Sequence, residues 1–551
     1  MSDKIKVNVI GHGDCEVEEG ITLQTLSERY PFSRTILVAK VNNELKELYN
    51  PLRYDCTVEF LDISDVNGYR VYQRTAVFVM IKAAREVLGK EIRVVVEHSI
   101  NKNYYCEIME EGFRLTPEVL SQIKEKMNEI INSDLEIVKE SFLLEDGIRV
   151  AEEMHLHDKI QLLGYRTASS VNFYRLGWFY DYFYGPMATR AGVLTKFDLI
   201  MQDDGFILIF PNQKNPSELS ELISVSKLTQ IFRESNNWAR ILQIDTVGAL
   251  NGKICQGESG EIIRVTEALH EKSVAKMADD IHQMKRNVVL IAGPSSSGKT
   301  TFAQRLSVQL RVNALQPHVI SLDDYYVDRE KTPLDQFGVP NFESLYSIDV
   351  PKFNEDLQEL LAGGRVHLPK YNFLTGKREY KGHFLQLCPN SVLIIEGIHG
   401  LNPELTRKVP NDAKFKIFIS ALTQLNMDDH NRIPAADTRM IRRIVRDSQF
   451  RGFDARRTLE LWPAVVRGES ENIFPFQDEA DVIFNSALIY ELCVLKPYVM
   501  PQLFAIENNA PEFMEARRLL KFLDSFMVIV EKEVPNNSLL REFIGGGCFR
   551  T

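Results

Sequence analysis

No two of the seven cysteines are spaced as CxxC, and their positions (15, 56, 106, 255, 388, 493 and 548) are scattered and odd in number. This argues against a thiolate zinc site and a disulfide framework, and a reducing cytosol fits best. Long apolar runs are also missing. Stretches such as "AVFVMI" fall far short of the ~20 residues a bilayer span needs, and the opening "MSDKIKVNVIGHGDCEVEEG" has no apolar core of signal-peptide length. The expectation is a soluble, cytoplasmic protein without a membrane. Excess positive charge is absent too: a net charge of -11 gives no general attraction to nucleic acid, although a local basic patch is compatible with it. Neither internal repeats nor low-complexity segments occur. What is present is ordinary globular composition, 44% hydrophobic and 26% charged, in 551 residues. Single cores stop growing near ~250 to 300 residues, so several domains are expected.

The expected fold class is multidomain, α/β and α+β. Residues 5 to 62 alternate β-rich runs ("IKVNVI", "TILVAKVN", "TVEFLD") with one helical piece, a small α+β module assigned to 1–66. A second mixed unit, 67–215, has helices at 73 to 88 and 117 to 132 and strand-like "RVVVEHSI" and "FILIFPN". A connecting segment, 216–284, begins in the polar joint "PNQKNPSELS". It carries a helix near 266 to 286 with Val274, Met277, Ile281 and Met284 as a packing stripe. From "NVVLIAG" onward, apolar strand-like runs alternate with helical ones, the pattern of a parallel sheet covered by helices, over 285–500. Chemistry is expected at the strand C-termini. Residues 501–551 add a helix near 511 to 524 and "EFIGGGCFRT", whose three glycines predict a mobile end.

"GPSSSGKT" satisfies GxxxxGK[ST] between a strand-like and a helix-forming run. Glycines let backbone N–H groups turn toward phosphate oxygens, and the helix N-terminus adds positive potential. Gly293, Pro294, Ser295, Ser296, Ser297, Gly298, Lys299, Thr300 and Thr301 are therefore the candidate nucleotide-binding residues. Lys299 would reach the β and γ phosphates and Thr300 would ligate Mg²⁺. "TKFD" at 195 to 198 resembles a guanine-reading motif but precedes the P-loop, and "DEAD" at 478 to 481 runs into "VIF" as a strand entry; both are read as chance.

Three later stretches bear on the acceptor. "SLDDYYVDR" places Asp323 at a strand end beside the P-loop, where it could accept a hydroxyl proton, hold the metal, or merely cap a turn with Asp324. "SVLIIEGIHG" ends a buried run in Glu396, a carboxylate suited to Mg²⁺ or its waters. "TRMIRRIVRDSQFRG" sets Arg439, Arg442, Arg443 and Arg446 on one helical face with only Asp437 and Asp447 nearby. That face reads as self-repelling until an anion arrives: a phosphate-clamping lid in preference to a solvated face.

"GPSSSGKTTFAQRL", "SLDDYY", "PNFES", "LPKYNFLTGKR", "LIIEGIHGL" and "RRIVRDSQFRG" occur in the order of the motifs of the uridine kinase and phosphoribulokinase family, and 285–490 resembles it. The resemblance implies Mg²⁺-dependent transfer of the γ-phosphoryl of ATP or GTP to a nucleoside hydroxyl, the ribose 5′-hydroxyl in uridine kinases. It makes Asp323 the catalytic aspartate, acting with Lys299 and Arg446. Thr300, Glu396 and Asp323 become the metal residues, and Arg443, Arg446 and Arg451 the substrate-site and lid arginines. Glu343, Tyr371, Phe373 and Arg443 would hold the acceptor. Two departures put uridine itself in question: Gly376 stands where the family has a base-contacting histidine, and Leu461 where it has a glutamine.

The front half resembles threonyl-tRNA synthetase. "VNNELKELYNPL" is similar to its TGS domain, and 68 to 212 to its editing domain. At the editing site's four His and Cys positions this chain has Arg74, Phe78, Phe183 and Met187, which implies a scaffold rather than hydrolysis of mischarged tRNA. His155 and His157 in "MHLHDK" lack a clear third metal ligand. Two other expectations stay open: an RNA- or ribosome-associated ATP-dependent regulator, and a kinase of another sugar or phosphosugar. A homo-oligomer is also left open.

Overall fold

The structure, a computed structural model, describes residues 4–222, 239, 241–335, 338, 340–372, 375–423 and 425–549. Phe373, one of the expected acceptor contacts, lies outside them. It is a mixed α/β and α+β protein of several packed units. A five-stranded sheet is built from Lys4–Val9, Gly13–Glu18, Val38–Val41, Glu44–Lys46 and Cys56–Leu61 around a core of Val7, Leu23, Leu26 and Val58. Behind it, the helix Val66–Leu88 lies against a four-stranded antiparallel sheet and the helix Pro117–Asn132. The first of these helices begins seven residues earlier than its apolar pattern predicts. Asp65 caps it by accepting from the N–H groups of Asn67 and Gly68, ahead of a polar first turn that hides the start.

The connecting helix runs Ser259–Gln283, with Val274, Met277 and Ile281 buried. Met284 does not continue the stripe. It is the C-cap and 55% exposed, because the helix has already ended.

In the following region β1 (Val288–Ala292), β2 (Gln316–Ser321), β3 (Ser391–Glu396), β4 (Lys414–Ser420) and β5 (Val482–Asn485) form one sheet in the order β2-β3-β1-β4-β5. Every adjacent pair is parallel. Buried on both faces, β1 reads "VVLIA" without polar alternation, as a covered parallel strand must. The sheet is flanked by α1 (Lys299–Val312), α2 (Ala435–Arg446), α3 (Ala455–Asn472) and α4 (Glu491–Phe504). Because β1 is central, with β3 on one side and β4 on the other, the crevice at its C-terminal end is where a ligand fits between diverging connections. Residues 478–481 lead into β5, so "DEAD" is a strand entry.

The two halves are joined by buried charge. Lys159 Nζ lies 2.8 Å from Asp181 and 3.2 Å from Asp428, and His430 Nδ1 lies 2.7 Å from Asp181. Burial and the neighbouring partners act oppositely on these acids: contact with His430 and Lys159 holds Asp181 well below the usual carboxylate range, while burial raises Asp428 to about 6. Nearby, Arg93 forks onto Asp429 at 2.7 Å through two nitrogens.

Candidate active site

The loop after β1 shows why its sequence is glycine-bounded. A Cβ on Gly293 would stand 2.1 Å from the carbonyl oxygen of Ile419, and Gly298 turns at φ +87° into α1. Ser296 also sits in the left-handed region at φ +59°. The hydroxyls of Ser296 and Ser297 are buried without hydrogen-bond partners among the described residues. Lys299 folds back over the loop, its Nζ donating to the carbonyls of Gly293 (3.0 Å) and Pro294 (3.2 Å).

Carboxylates gather at the strand ends around this lysine. Thr300 Oγ1 stands 3.5 Å from Glu396 Oε1 at the end of β3. Burial first, and the negative charge of Asp323 second, push Glu396 up to about 7, with Lys299 opposing. Asp323 lies half-buried in the 3₁₀ turn Leu322–Tyr325 directly after β2, within electrostatic reach of Glu396, Glu343 and Arg451. Asp324, its neighbour, instead accepts from the Tyr371 N–H and from Lys370. Glu343 has one buried oxygen, Oε2, with no hydrogen-bond partner among the described residues, and burial raises it to about 7. Tyr371 is buried against Tyr326, ring centroids 5.6 Å apart. Gly376 turns the neighbouring hairpin at φ +69°, and a Cβ there would meet Arg329 at 2.8 Å, so a histidine does not fit this backbone.

The arginine segment corrects one expectation. Arg439 and Arg442 are not part of an open, self-repelling face; both are buried and paired with distant acids, Arg439 with Glu469 through two nitrogens and Arg442 with Glu491 at 2.6 Å. Asp447 is buried and collects the rest: Arg443 at 3.2 Å, Arg446 at 2.9 Å and Arg451 at 3.8 Å. Arg443 also donates to Ser295 Oγ at 2.9 Å, which brings the segment onto the phosphate loop. The helix widens into a π-turn over Asp447–Arg451 at this point, a local irregularity often found at functional sites.

Nothing in the sequence around Glu469 marks it, yet its Oε1 accepts from the Ser295 N–H at 3.1 Å while binding Arg439. His399 is another such residue; buried behind Glu343, it is pushed down to about 4 by burial and is neutral at pH 7. In "EGIHG" only packing distinguishes the histidine from a surface one.

In the front half, the four editing positions form a closed core. Arg74 donates to the Pro186 carbonyl at 2.8 Å, Phe78 stacks edgewise on Phe183 at 5.4 Å, and Met187 is buried. His155 is a surface side chain beside Glu91, and among the described residues no group of three or more His, Cys, Asp or Glu side chains could hold a metal. A Mg²⁺ site needs fewer: one or two carboxylates with phosphates and waters complete its shell. Thr300 and Glu396 fit that donor set.

Because folded Glu396 binds its proton more tightly than the ordinary carboxyl at 4.5, the stability it contributes is full below about 4.5 and is lost as pH rises through about 7. Glu396→Gln is therefore expected to flatten the fall in melting temperature of the ligand-free protein between about pH 5 and 7. An unchanged slope in differential scanning fluorimetry would place the raised carboxyl elsewhere.

A parallel sheet with a phosphate loop at the end of its central strand defines a P-loop α/β fold, here lined with acids and arginines suited to handling phosphoryl groups. Residues 288–490 match the Phosphoribulokinase / Uridine kinase family. The front half is similar to threonine–tRNA ligases: 30% identity over 185 residues to that of Clostridium novyi (strain NT), covering 33% of this chain and 29% of the ligase. The ligase of Thermotoga sp. (strain RQ2) is 26% identical over 198 residues, covering 36% of this chain and 30% of the ligase. The chain thus spans about three-tenths of the length of these relatives. Solved structures that overlap it include "a Possible Uridine Kinase from Bacillus stearothermophilus" (21% identity, TM-score 0.26, 38% of this chain and 98% of that one). Another is the D-glycerate 3-kinase from Cryptococcus neoformans var. grubii (15% identity, TM-score 0.23, 46% and 87%). Among the described residues, no helix is long and apolar enough to cross a membrane.

Proposed function

We propose that the 288–490 region transfers the γ-phosphoryl group of ATP or GTP to a hydroxyl of a nucleoside-like sugar, the ribose 5′-hydroxyl in the uridine kinase pattern. The observation that carries this reading is the meeting of Asp323, Glu396, Lys299 and a Glu343 oxygen without a partner among the described residues at the C-terminal ends of the strands, faced by Arg443 through Ser295. In this reading the loop N–H groups and Lys299 hold the triphosphate. Thr300 and Glu396 hold Mg²⁺, which when bound offsets phosphate charge and aligns its oxygens.

Asp323 takes the acceptor proton as the new oxygen–phosphorus bond forms and the bond to the β-phosphate oxygen breaks. Arg443, Arg446 and Arg451 supply positive charge to a loose transition state that is stabilised mainly by placement and electrostatics. Glu343 and Tyr371 border the acceptor. The Gly376 turn and Leu461 remove two polar base contacts, so recognition rests on the sugar more than on the base.

The similarity to threonine–tRNA ligases favours a second reading, in which the front half docks RNA and the P-loop responds to it. Both are tested by nucleotide consumption of the full chain with a panel of nucleosides, pentose phosphates and tRNA. Turnover with a nucleoside alone is expected. Turnover only with a pentose phosphate would change the acceptor class, and stimulation only by tRNA would replace the kinase reading.

A further inference from the structure

The glycine-rich segment near 545 is not a free end. Leu539 packs on Gly298, where an added Cβ would stand 2.3 Å from its Cδ2. Phe543 lies beneath the Arg442 guanidinium at 5.1 Å. Gly545 reaches the Phe450 ring of the π-turn, 3.6 Å from where its Cβ would be. Arg541 fastens the segment by donating to the carbonyls of Val534 and Glu531, and the Cys548 N–H donates to Asn536. Its short helix α5 (Arg541–Ile544) turns one carboxylate toward the phosphate loop: Glu542 Oε2 accepts from Thr301 Oγ1 at 2.8 Å and from the Thr301 N–H at 3.3 Å.

These donors belong to the first turn of α1, next to Lys299 and Thr300. A free N–H there, with the positive end of the helix dipole behind it, is what a phosphate oxygen would take. A carboxylate and a phosphate are both anions and cannot share the same donors at hydrogen-bond distance.

We propose that the 538–549 segment is an intramolecular competitor of the nucleotide: Glu542 occupies phosphate-binding donors of the P-loop, and the segment lifts off before a triphosphate seats. This rests on the reading of 293–301 as a nucleotide site. Leu539 covers Gly298 and Gly545 touches the arginine segment, so lifting the segment also frees both walls of the cleft. Left-handed turns at Gly545 (φ +83°) and Gly546 (φ +70°) are backbone states that other residues would resist.

The test is calorimetric titration of Mg·ATP into the full chain and its variants. Glu542→Ala is expected to tighten binding about tenfold, the gain for a segment seated roughly nine-tenths of the time. Glu542→Gln, whose amide oxygen still accepts from Thr301 but carries no charge, is expected to tighten it by a smaller factor. Hydrogen exchange of amides 539–549 in the unaltered protein should quicken when Mg·ATP is added. Affinity unchanged or weaker in both variants, with binding still abolished by Lys299→Ala, overturns the competitor while leaving the nucleotide site intact. Slower exchange of 539–549 with nucleotide bound also overturns it, since the segment would then close over the ligand. Absence of nucleotide binding in the unaltered chain and both variants overturns the site and the competitor together.

Discussion

Asp323→Ala is expected to lower turnover by about 10² to 10⁴-fold, the range for removing a positioned general base, while ATP affinity changes only a few-fold. The separation follows from the geometry. In the proposed reading the triphosphate is held by loop N–H groups and Lys299, whereas Asp323 stands after a different strand, β2, within the electrostatic reach of Glu396. Single-turnover rates measured beside equilibrium ATP binding check both halves. Unaltered turnover removes Asp323 from the chemistry; a parallel loss of ATP binding would make it a metal or structural residue instead. Asp324→Ala serves as the contrast, because its carboxylate is engaged by Lys370 and the Tyr371 N–H and should affect acceptor binding before the chemical step.

Arg442→Met should destabilise the protein by about 3–5 kcal/mol, the cost of leaving one partner of a buried ion pair behind. Arg442 is among the largest fully buried side chains; it pairs with Glu491 at 2.6 Å and donates to the Ser486 carbonyl at 2.8 Å. Removing the guanidinium strands a carboxylate that burial already pushes upward. Changing both partners together, Arg442→Met with Glu491→Leu, is expected to recover much of the loss, because two apolar side chains need no counter-charge. Urea unfolding midpoints of the two single variants and the double variant read this out directly. A single-variant cost under about 1 kcal/mol would show that water reaches the pair.

That same arginine shows where reading the sequence stops. Spacing alone placed Arg439, Arg442, Arg443 and Arg446 on one face, and the helix Ala435–Arg446 carries them as the spacing demands. The partners of Arg439 and Arg442 could not be read, because Glu469 and Glu491 lie 30 and 49 residues further on and meet them through the packing of α3 and α4. Apolar runs such as "VVLIA" and "VLIIE" announced their strands because burial on both faces leaves no alternation to misread. The helix expected at 117 to 132 is found at Pro117–Asn132, where the structure adds Thr116 as its cap. The phosphate loop was legible because its glycines answer local steric demands. Glu542 was not, since nothing near residue 542 signals a contact 241 positions away. Gly376 lay between: the missing histidine was visible, but the turn that excludes it was not.

The knot of Lys159, Asp181, Asp428 and His430 bears on how the two halves respond to their surroundings. Lys159 and the two aspartates are 0 to 1% exposed, so mobile ions cannot come between them. Ionic strength, which loosens exposed bridges over a Debye length of about 8 Å at physiological salt, has little purchase on this seam. Added salt is therefore expected to weaken the half-exposed Arg93–Asp429 pair beside this knot before it weakens the knot itself.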